Sequence, residues 1–228
     1  DAVEITAICN GLVLNIGTLN QRTIATMLKT GKRANELSHP VVLDPVGAGA
    51  STLRTETTFK LLEEVEFAVI RGNISEIKTV SKGSGTTKGV DADVSDAVTE
   101  KNLDETISFA KELSAKTNAV IAISGAIDIV TDASKAYIIR NGHPMMAKIT
   151  GTGCMLTAVI AAYCAANPEN HLDATAAAVS AFGLAGEIAY DKLVKTDGGN
   201  ASYRTYLIDA VSKIDAEAIK GGAKIEIR

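Results

Sequence analysis

Cysteine is scarce in this chain: Cys9, Cys154 and Cys164 are its three thiols among 228 residues. An odd number without paired-ligand spacing fits a reducing compartment better than a disulfide framework. Histidine is equally sparse, and His39, His143 and His171 are scattered without metal-ligand spacing, as surface or turn residues would be. No block of like charges occurs and the formal net charge is only -4, which argues against non-specific binding to nucleic acid or to an anionic membrane. Tyr137, Tyr190, Tyr203 and Tyr206 form no stacking platform for bases. The text contains neither an uninterrupted apolar run able to span a bilayer nor a basic-then-apolar signal sequence, so a soluble cytoplasmic protein is expected. Internal repeats and low-complexity linkers are absent as well.

What is present is an ordinary globular composition, 46% hydrophobic and 22% charged, in a length that suits one core. Residues 1–228 read as a single domain. Strand-like and helix-like stretches alternate. Ala2 to Cys9 is helix-like, and Leu12 to Ile16 is a short buried strand bounded by glycines. Ile24, Met27, Leu28 and Gly31 fall at helical spacing, and Val41-Val42-Leu43 is a second apolar strand ending at Asp44-Pro45. A helix around Phe59, Leu62 and Val65 leads to a third strand, Phe67 to Ile70. Continuous apolar strands with amphipathic helices between them indicate a mostly parallel sheet covered on both faces. Lys82 to Val98 reads as a solvated loop or small excursion. Leu103, Ile107, Ala110 and Leu113 mark a helix, and Ala119 to Ile123, Asp128 to Thr131 and Ala136 to Arg140 are successive strands, the later two an antiparallel pair. Leu156, Val159, Ile160 and Tyr163 form one apolar helix face; Asp173 to Asp191 is an Ala/Gly-rich helix; Leu207, Val211 and Ile214 mark another; and Ala223 to Ile227 alternates as an edge strand. The predicted architecture is three-layer α/β.

Three segments carry chemistry. Ile149-Thr150-Gly151-Thr152-Gly153-Cys154-Met155-Leu156 reads as a turn between a strand and a helix. Glycines at a helix entry let backbone N–H groups converge where the helix dipole is positive, which suits a phosphoryl group in transfer. The same text also fits a tight turn with a capping Thr152 and an inert core cysteine. Asp44-Pro45-Val46-Gly47-Ala48-Gly49 follows a strand's carboxyl end, where parallel sheets bind ligands and a carboxylate can hold Mg²⁺ through water. Taken alone, an Asp-Pro turn accounts for it. It is no dinucleotide fingerprint, since the third glycine is missing. Arg71-Gly72-Asn73-Ile74-Ser75-Glu76 follows another strand: Arg71 suits nucleotide phosphates, and Glu76 lies one helical turn beyond Asn73. A capping box explains the Asn73 and Glu76 pair equally well. No Walker A pattern is present, because Gly31-Lys32 is followed by Arg33 and lacks the upstream glycine. Any ATP site here uses another phosphate device.

Leu12 to Leu19, Val41 to Ala50, Ile70 to Glu76 and Ile149 to Leu156, in this order and approximate spacing, together resemble the hydroxyethylthiazole kinases, a branch of the ribokinase-like fold. The small-residue helix Ala174 to Ala189 is similar too, so the likeness spans nearly the whole chain. Its sharpest element is the Gly-Thr-Gly-Cys turn, because most ribokinase-like enzymes carry aspartate where Cys154 stands. The resemblance implies ATP-dependent phosphorylation of a thiazole alcohol in thiamine biosynthesis. It implies that Cys154 faces the substrate hydroxyl, that Gly151, Thr152 and Gly153 supply amides to the moving phosphoryl group, and that Gly151 lies near the thiazole. It matches Arg71 and Ser124 to nucleotide-contacting positions, with threonine commoner in the family where Ser124 stands, and Asp44 and Glu76 to an acidic pair holding Mg²⁺. Homotrimers with active sites between subunits are implied, as is a family N-terminal segment ahead of Asp1, including a first strand, that this text lacks; a longer parent chain is expected. The competing readings are a ribokinase-like kinase for another small alcohol (a pyrimidine, vitamin B6 compound or sugar) and a non-catalytic binding protein that kept the fold.

Overall fold

The computed structural model describes residues 1–82 and 96–228. In chain order the elements are α1 (Ala2–Ile8), β1 (Leu12–Asn15), α2 (Gln21–Glu36), β2 (Val41–Asp44), α3 (Thr52–Glu64), β3 (Val69–Asn73), α4 (Ile74–Lys82), α5 (Leu103–Thr117), β4 (Val120–Ser124), β5 (Asp128–Thr131), β6 (Ala136–Ile139), α6 (Thr152–Ala166), α7 (His171–Thr196), α8 (Asn200–Val211), α9 (Ala216–Gly222) and β7 (Ile225–Ile227). The expected excursion between Lys82 and Val98 lies, over residues 83–95, outside the described residues.

The strands form one sheet in sequential order, β1 through β7. β1 to β4 pair in parallel, whereas β5, β6 and β7 each pair antiparallel to the preceding strand. The sheet is therefore mixed: β1–β4 and β6 run one way, β5 and β7 the other. The expectation of a mostly parallel sheet holds for the first half. The short turns joining β4 to β5 and β5 to β6 leave no room for a crossover helix, so those strands return antiparallel.

Side chains alternate across each buried strand. Val41 and Leu43 enter one core with Leu14, Ile121 and Ile123, while Val42 joins Val69, Val120 and Ala122 in the other. The first core is closed by residues of α2 to α5, such as Ala34, Leu61, Ile77 and Leu113. The second is closed by α6, α7 and α8, through Leu156, Ile160, Phe182, Tyr203 and Leu207. Parallel crossovers share one hand. A chain stepping steadily from β1 to β4 therefore leaves every crossover helix on the same face, and the other face remains for the C-terminal helices. Each fully buried isoleucine or leucine in these layers contributes about 1.5–3 kcal/mol.

Among the described residues one helix, α7, is long and apolar enough to cross a membrane. Most of its apolar length is buried, and it packs against α6, α8 and the sheet as a core helix. The short α9 escaped sequence reading, and of α4, which follows β3 without a gap, only the start was legible, in the Asn73 and Glu76 capping pair. Val65 and Ile214 fall just outside the helices predicted to contain them.

Candidate active site at the carboxyl ends of the strands

Parallel register brings polar residues together at one edge of the sheet. Asn15 pairs with Asp44 at the ends of β1 and β2, and Asn73 pairs with Ser124 at the ends of β3 and β4. Arg71 lies within β3, two residues before its end, rather than after the strand as expected. The Ile149–Leu156 segment is likewise preceded by a 3-10 turn, Pro144–Lys148, and not by a strand.

α6 begins at this edge. Its N-cap is Gly151, with φ +93°, a left-handed conformation that glycine adopts without steric penalty. No side chain caps the helix. The Thr152 hydroxyl, which the sequence offered as a cap, donates backwards to the carbonyl oxygens of Met146 (3.2 Å) and Ile149 (3.4 Å). The first-turn N–H groups of Thr152, Gly153 and Cys154 have no acceptor within their own helix. Nothing lies within 4 Å of the position a Cβ on Gly151 would take, so the bend is open. The Cys154 thiol is exposed.

Against this turn sits the Arg71 guanidinium. A Cβ on Gly153 would lie 2.6 Å from its Nη1 and 2.9 Å from Nη2. Arg71 is 8% exposed, its Nη2 donates to Ser124 Oγ at 2.5 Å, its Nη1 is 3.6 Å from Asp44 Oδ1, and its buried Nε has no hydrogen-bond partner. A cation packed on the positive end of a helix is unfavourable unless negative charge joins them. Asp44 shares this guanidinium with Glu76 and Asp128, whose carboxyls also feel its charge.

Asp44 is fully buried. Its Oδ2 accepts from Asn15 Nδ2 and from Thr157 Oγ1, both at 2.8 Å, while its Oδ1 has no hydrogen-bond partner. Glu76 is also buried, and both of its oxygens are used: Oε1 accepts from Gly47 N–H and Oε2 from Asn73 N–H, each at 2.8 Å. The Asn73 side chain accepts in return from Glu76 N–H at 2.9 Å, completing the capping box read in the sequence. Burial pushes the Glu76 carboxyl above its ordinary range, opposed by the two backbone N–H groups and by Arg71, and reinforced by Asp44. The structure thus brings Asp44, Arg71, Ser124, Glu76 and the Gly151–Cys154 turn to one edge.

Residues the sequence reading missed complete it. Asn15 and Thr157 hold Asp44. Arg54 ties two loops together, donating to the carbonyl oxygens of Val46 and Gly17, each at 2.9 Å. Asp128 accepts from Gly125 N–H at 2.8 Å beside the end of β4; burial pushes its carboxyl up to about 7, against the pull of that N–H and of Arg71. A polar residue closing an apolar strand (Asn15), or breaking the apolar face of α6 one turn after Gly153 (Thr157), was the available signal.

Among the described residues no cluster of three or more His, Cys, Asp or Glu could hold a metal. The buried Oδ1 of Asp44, which accepts no hydrogen bond and faces Arg71 only at 3.6 Å, fits a cation whose remaining ligands are water and phosphate, the habit of Mg²⁺.

Two helical layers on a mixed seven-stranded sheet, with an uncapped helix aimed at the strand ends, are the α/β architecture of the ribokinase-like class. The fold is shared with the pyridoxal kinase of Staphylococcus aureus solved with AMP-PCP, at TM-score 0.59 and 15% identity over 82% of this chain and 66% of that one. The chain belongs to the hydroxyethylthiazole kinase family, whose model matches residues 1–217. It is 60% identical to the hydroxyethylthiazole kinase of Clostridium acetobutylicum over 223 residues, covering 98% of this chain and 81% of that protein. The hydroxyethylthiazole kinase of Clostridium beijerinckii is 48% identical, with 99% and 80% covered. The solved hydroxyethylthiazole kinase protein of Pyrococcus horikoshii OT3 superposes at TM-score 0.86 and 30% identity, covering 100% of this chain and 80% of that one.

Proposed function

We propose that the protein transfers the γ-phosphoryl group of ATP to the hydroxyethyl oxygen of 4-methyl-5-(2-hydroxyethyl)thiazole, yielding the thiazole phosphate used in thiamine synthesis. The observation that carries this reading is the buried Arg71 guanidinium packed on the uncapped first turn of α6, which sets a cation beside backbone N–H groups free to bind an anion. Family membership selects the acceptor alcohol.

In the reaction a new bond forms between the alcohol oxygen and phosphorus, and the bond from phosphorus to the β,γ-bridging oxygen of ATP breaks. The alcohol proton leaves, and ADP departs with the bridging electron pair. The transition state is loose, so positioning and charge neutralisation do most of the catalysis. The amides of Thr152 and Gly153 face the equatorial oxygens, Gly151 bounds the thiazole, and Arg71 with Ser124 holds the nucleotide. Preorganised donors of this kind are each worth about 2.7–4 kcal/mol of barrier. Cys154 orients the hydroxyl or accepts its proton; a loose transition state makes this weak assistance adequate. Mg²⁺, when bound, neutralises phosphate charge, with Asp44 as its carboxylate and Glu76 acting mainly through water, since two backbone N–H groups already occupy its oxygens. The active unit is a homotrimer with sites between subunits, a prediction that native mass measurement checks directly.

The test is ADP release with and without the thiazole alcohol. A rate that rises saturably with thiazole, with the phosphate found on its hydroxyethyl oxygen, is expected. A rate indifferent to thiazole would remove the proposal.

A further inference from the structure

The Asp44 carboxylate is asymmetric in a way that burial alone does not explain. Its Oδ2 accepts two hydrogen bonds, whereas its Oδ1 accepts none and meets only the Arg71 guanidinium, with Nη1 at 3.6 Å. Buried polar networks are normally complete, and a bare buried acceptor costs about 1–3 kcal/mol. The two donors are themselves fixed. Asn15 Oδ1 accepts from Gly17 N–H at 2.8 Å, which decides the orientation of the amide and leaves Nδ2 only Asp44 to face. Thr157 is fully buried, and its hydroxyl lies 2.8 Å from Asp44 Oδ2 and 3.1 Å from Gly153 O. One proton serves one of these, and the nearer, charged oxygen is the stronger acceptor.

We propose that Thr157 and Asn15 are positioning residues for phosphoryl transfer: by occupying Oδ2 from two sides, they turn Oδ1 of Asp44 alone toward the divalent cation of the nucleotide. Thr157 has a second effect. It sits one turn after Gly153, so its bond to Asp44 pins the first turn of α6 over the end of β2 and sets the spacing between the phosphate-facing amides and the cation-facing oxygen. The proposal rests on the kinase reading above, because it presupposes a cation at Asp44.

The experiment compares Thr157→Val, which keeps shape and removes the hydroxyl, with Thr157→Ser, which keeps the hydroxyl, and Asn15→Ser, which shortens the amide out of reach. Binding of Mn²⁺ is read by electron paramagnetic resonance on the full chain with a non-hydrolysable ATP analogue, and thermal melting is followed without ligands. Outer-shell partners of metal ligands typically matter about 10–100-fold, so Thr157→Val and Asn15→Ser are expected to weaken Mn²⁺ binding about tenfold or more, with Thr157→Ser within about threefold of the parent. Turnover at saturating thiazole should fall in step with metal occupancy while the thiazole KM stays put. Parent-like Mn²⁺ affinity in either folded hydroxyl-free or amide-shortened variant would overturn the proposal, as would equal loss in Thr157→Ser. Should Thr157→Val fail to fold, Asn15→Ser and Thr157→Ser decide. If the parent transfers phosphate to thiazole but Asp44→Asn leaves its Mn²⁺ binding unchanged, this inference fails and the kinase reading stands; if the parent transfers none, both fail.

Discussion

Gly153→Ala tests the contact between Arg71 and the first turn of α6. The added Cβ would lie 2.6 Å from Arg71 Nη1, 2.9 Å from Nη2 and 3.1 Å from Cζ. Ordinary van der Waals contact requires the guanidinium to retreat by roughly 1 Å. Arg71 is buried in β3 and held by Ser124 at 2.5 Å, so it has little slack, and retreat sacrifices the alignment of that bond. On the helix side, exchanging glycine for alanine favours folding by up to about 1 kcal/mol, against about 1–3 kcal/mol of overpacking at the buried guanidinium. Unfolding free energy should therefore fall by no more than about 2 kcal/mol, while loss of a charge-assisted phosphate contact removes about 1.5–3 kcal/mol of binding. That corresponds to a fall in kcat/KM for ATP of about 10–150-fold. Steady-state kinetics at varied ATP with saturating thiazole, alongside a urea melt, measures both. A kcat/KM within about twofold of the parent, in a variant that is folded under the assay conditions, would refute the placement of Arg71 at the phosphate.

Other perturbations test separate parts. Cys154→Ala should lower turnover, whereas Cys154→Asp should retain a substantial share of it; an unchanged rate in the alanine variant would mean that the thiol has no catalytic role. Gly31→Ala probes packing far from the site: its Cβ would meet Val65 Cγ2 at 2.6 Å and Cγ1 at 2.8 Å, and overpacking of about 1–3 kcal/mol should outweigh the gain in helix propensity, lowering the urea midpoint. Asp128→Asn tests the raised carboxyl. Burial lifts it from 3.8 to about 7, so in the parent its stabilising share is full below the unfolded value and is lost as pH rises through the folded one. The neutral amide loses nothing over that window. The variant should therefore gain stability relative to the parent between pH 4 and pH 7 and hold that gain above it, as urea melts at pH 4 and pH 8 would read; a constant difference would mean that the carboxyl titrates normally.

Much of the chain could be read without coordinates because its signals are local. Val41–Leu43 and Ala119–Ile123 are continuous apolar runs, as strands covered on both faces must be, and both lie where β2 and β4 form. The Gly-Thr-Gly-Cys bend, Asp44 and Arg71 stood out because glycine at a helix entry and charge near a strand end are unusual, and the structure brings all three to one edge. Asn73 and Glu76 satisfied two readings at once, and the geometry contains the capping box while leaving Glu76 beside Arg71 and Asp44.

What escaped reading was partnership across distance. Thr157 meets Asp44 from 113 positions away with no mark in the residues themselves, and Arg71 meets Ser124 from 53, a pair that the family resemblance set at one nucleotide site but whose direct bond it did not give. They follow from strand order: crossovers of one hand place β1 beside β2 and β3 beside β4, and α6 then returns across the opposite face to meet their ends. Residue chemistry and local periodicity are properties of short stretches, so the amino-acid text alone settled which groups this protein could use. Which oxygen of Asp44 is left without a hydrogen bond, and which cation rests on the α6 turn, depend on packing among segments that the chain keeps far apart, and these were settled when the helices packed on the sheet.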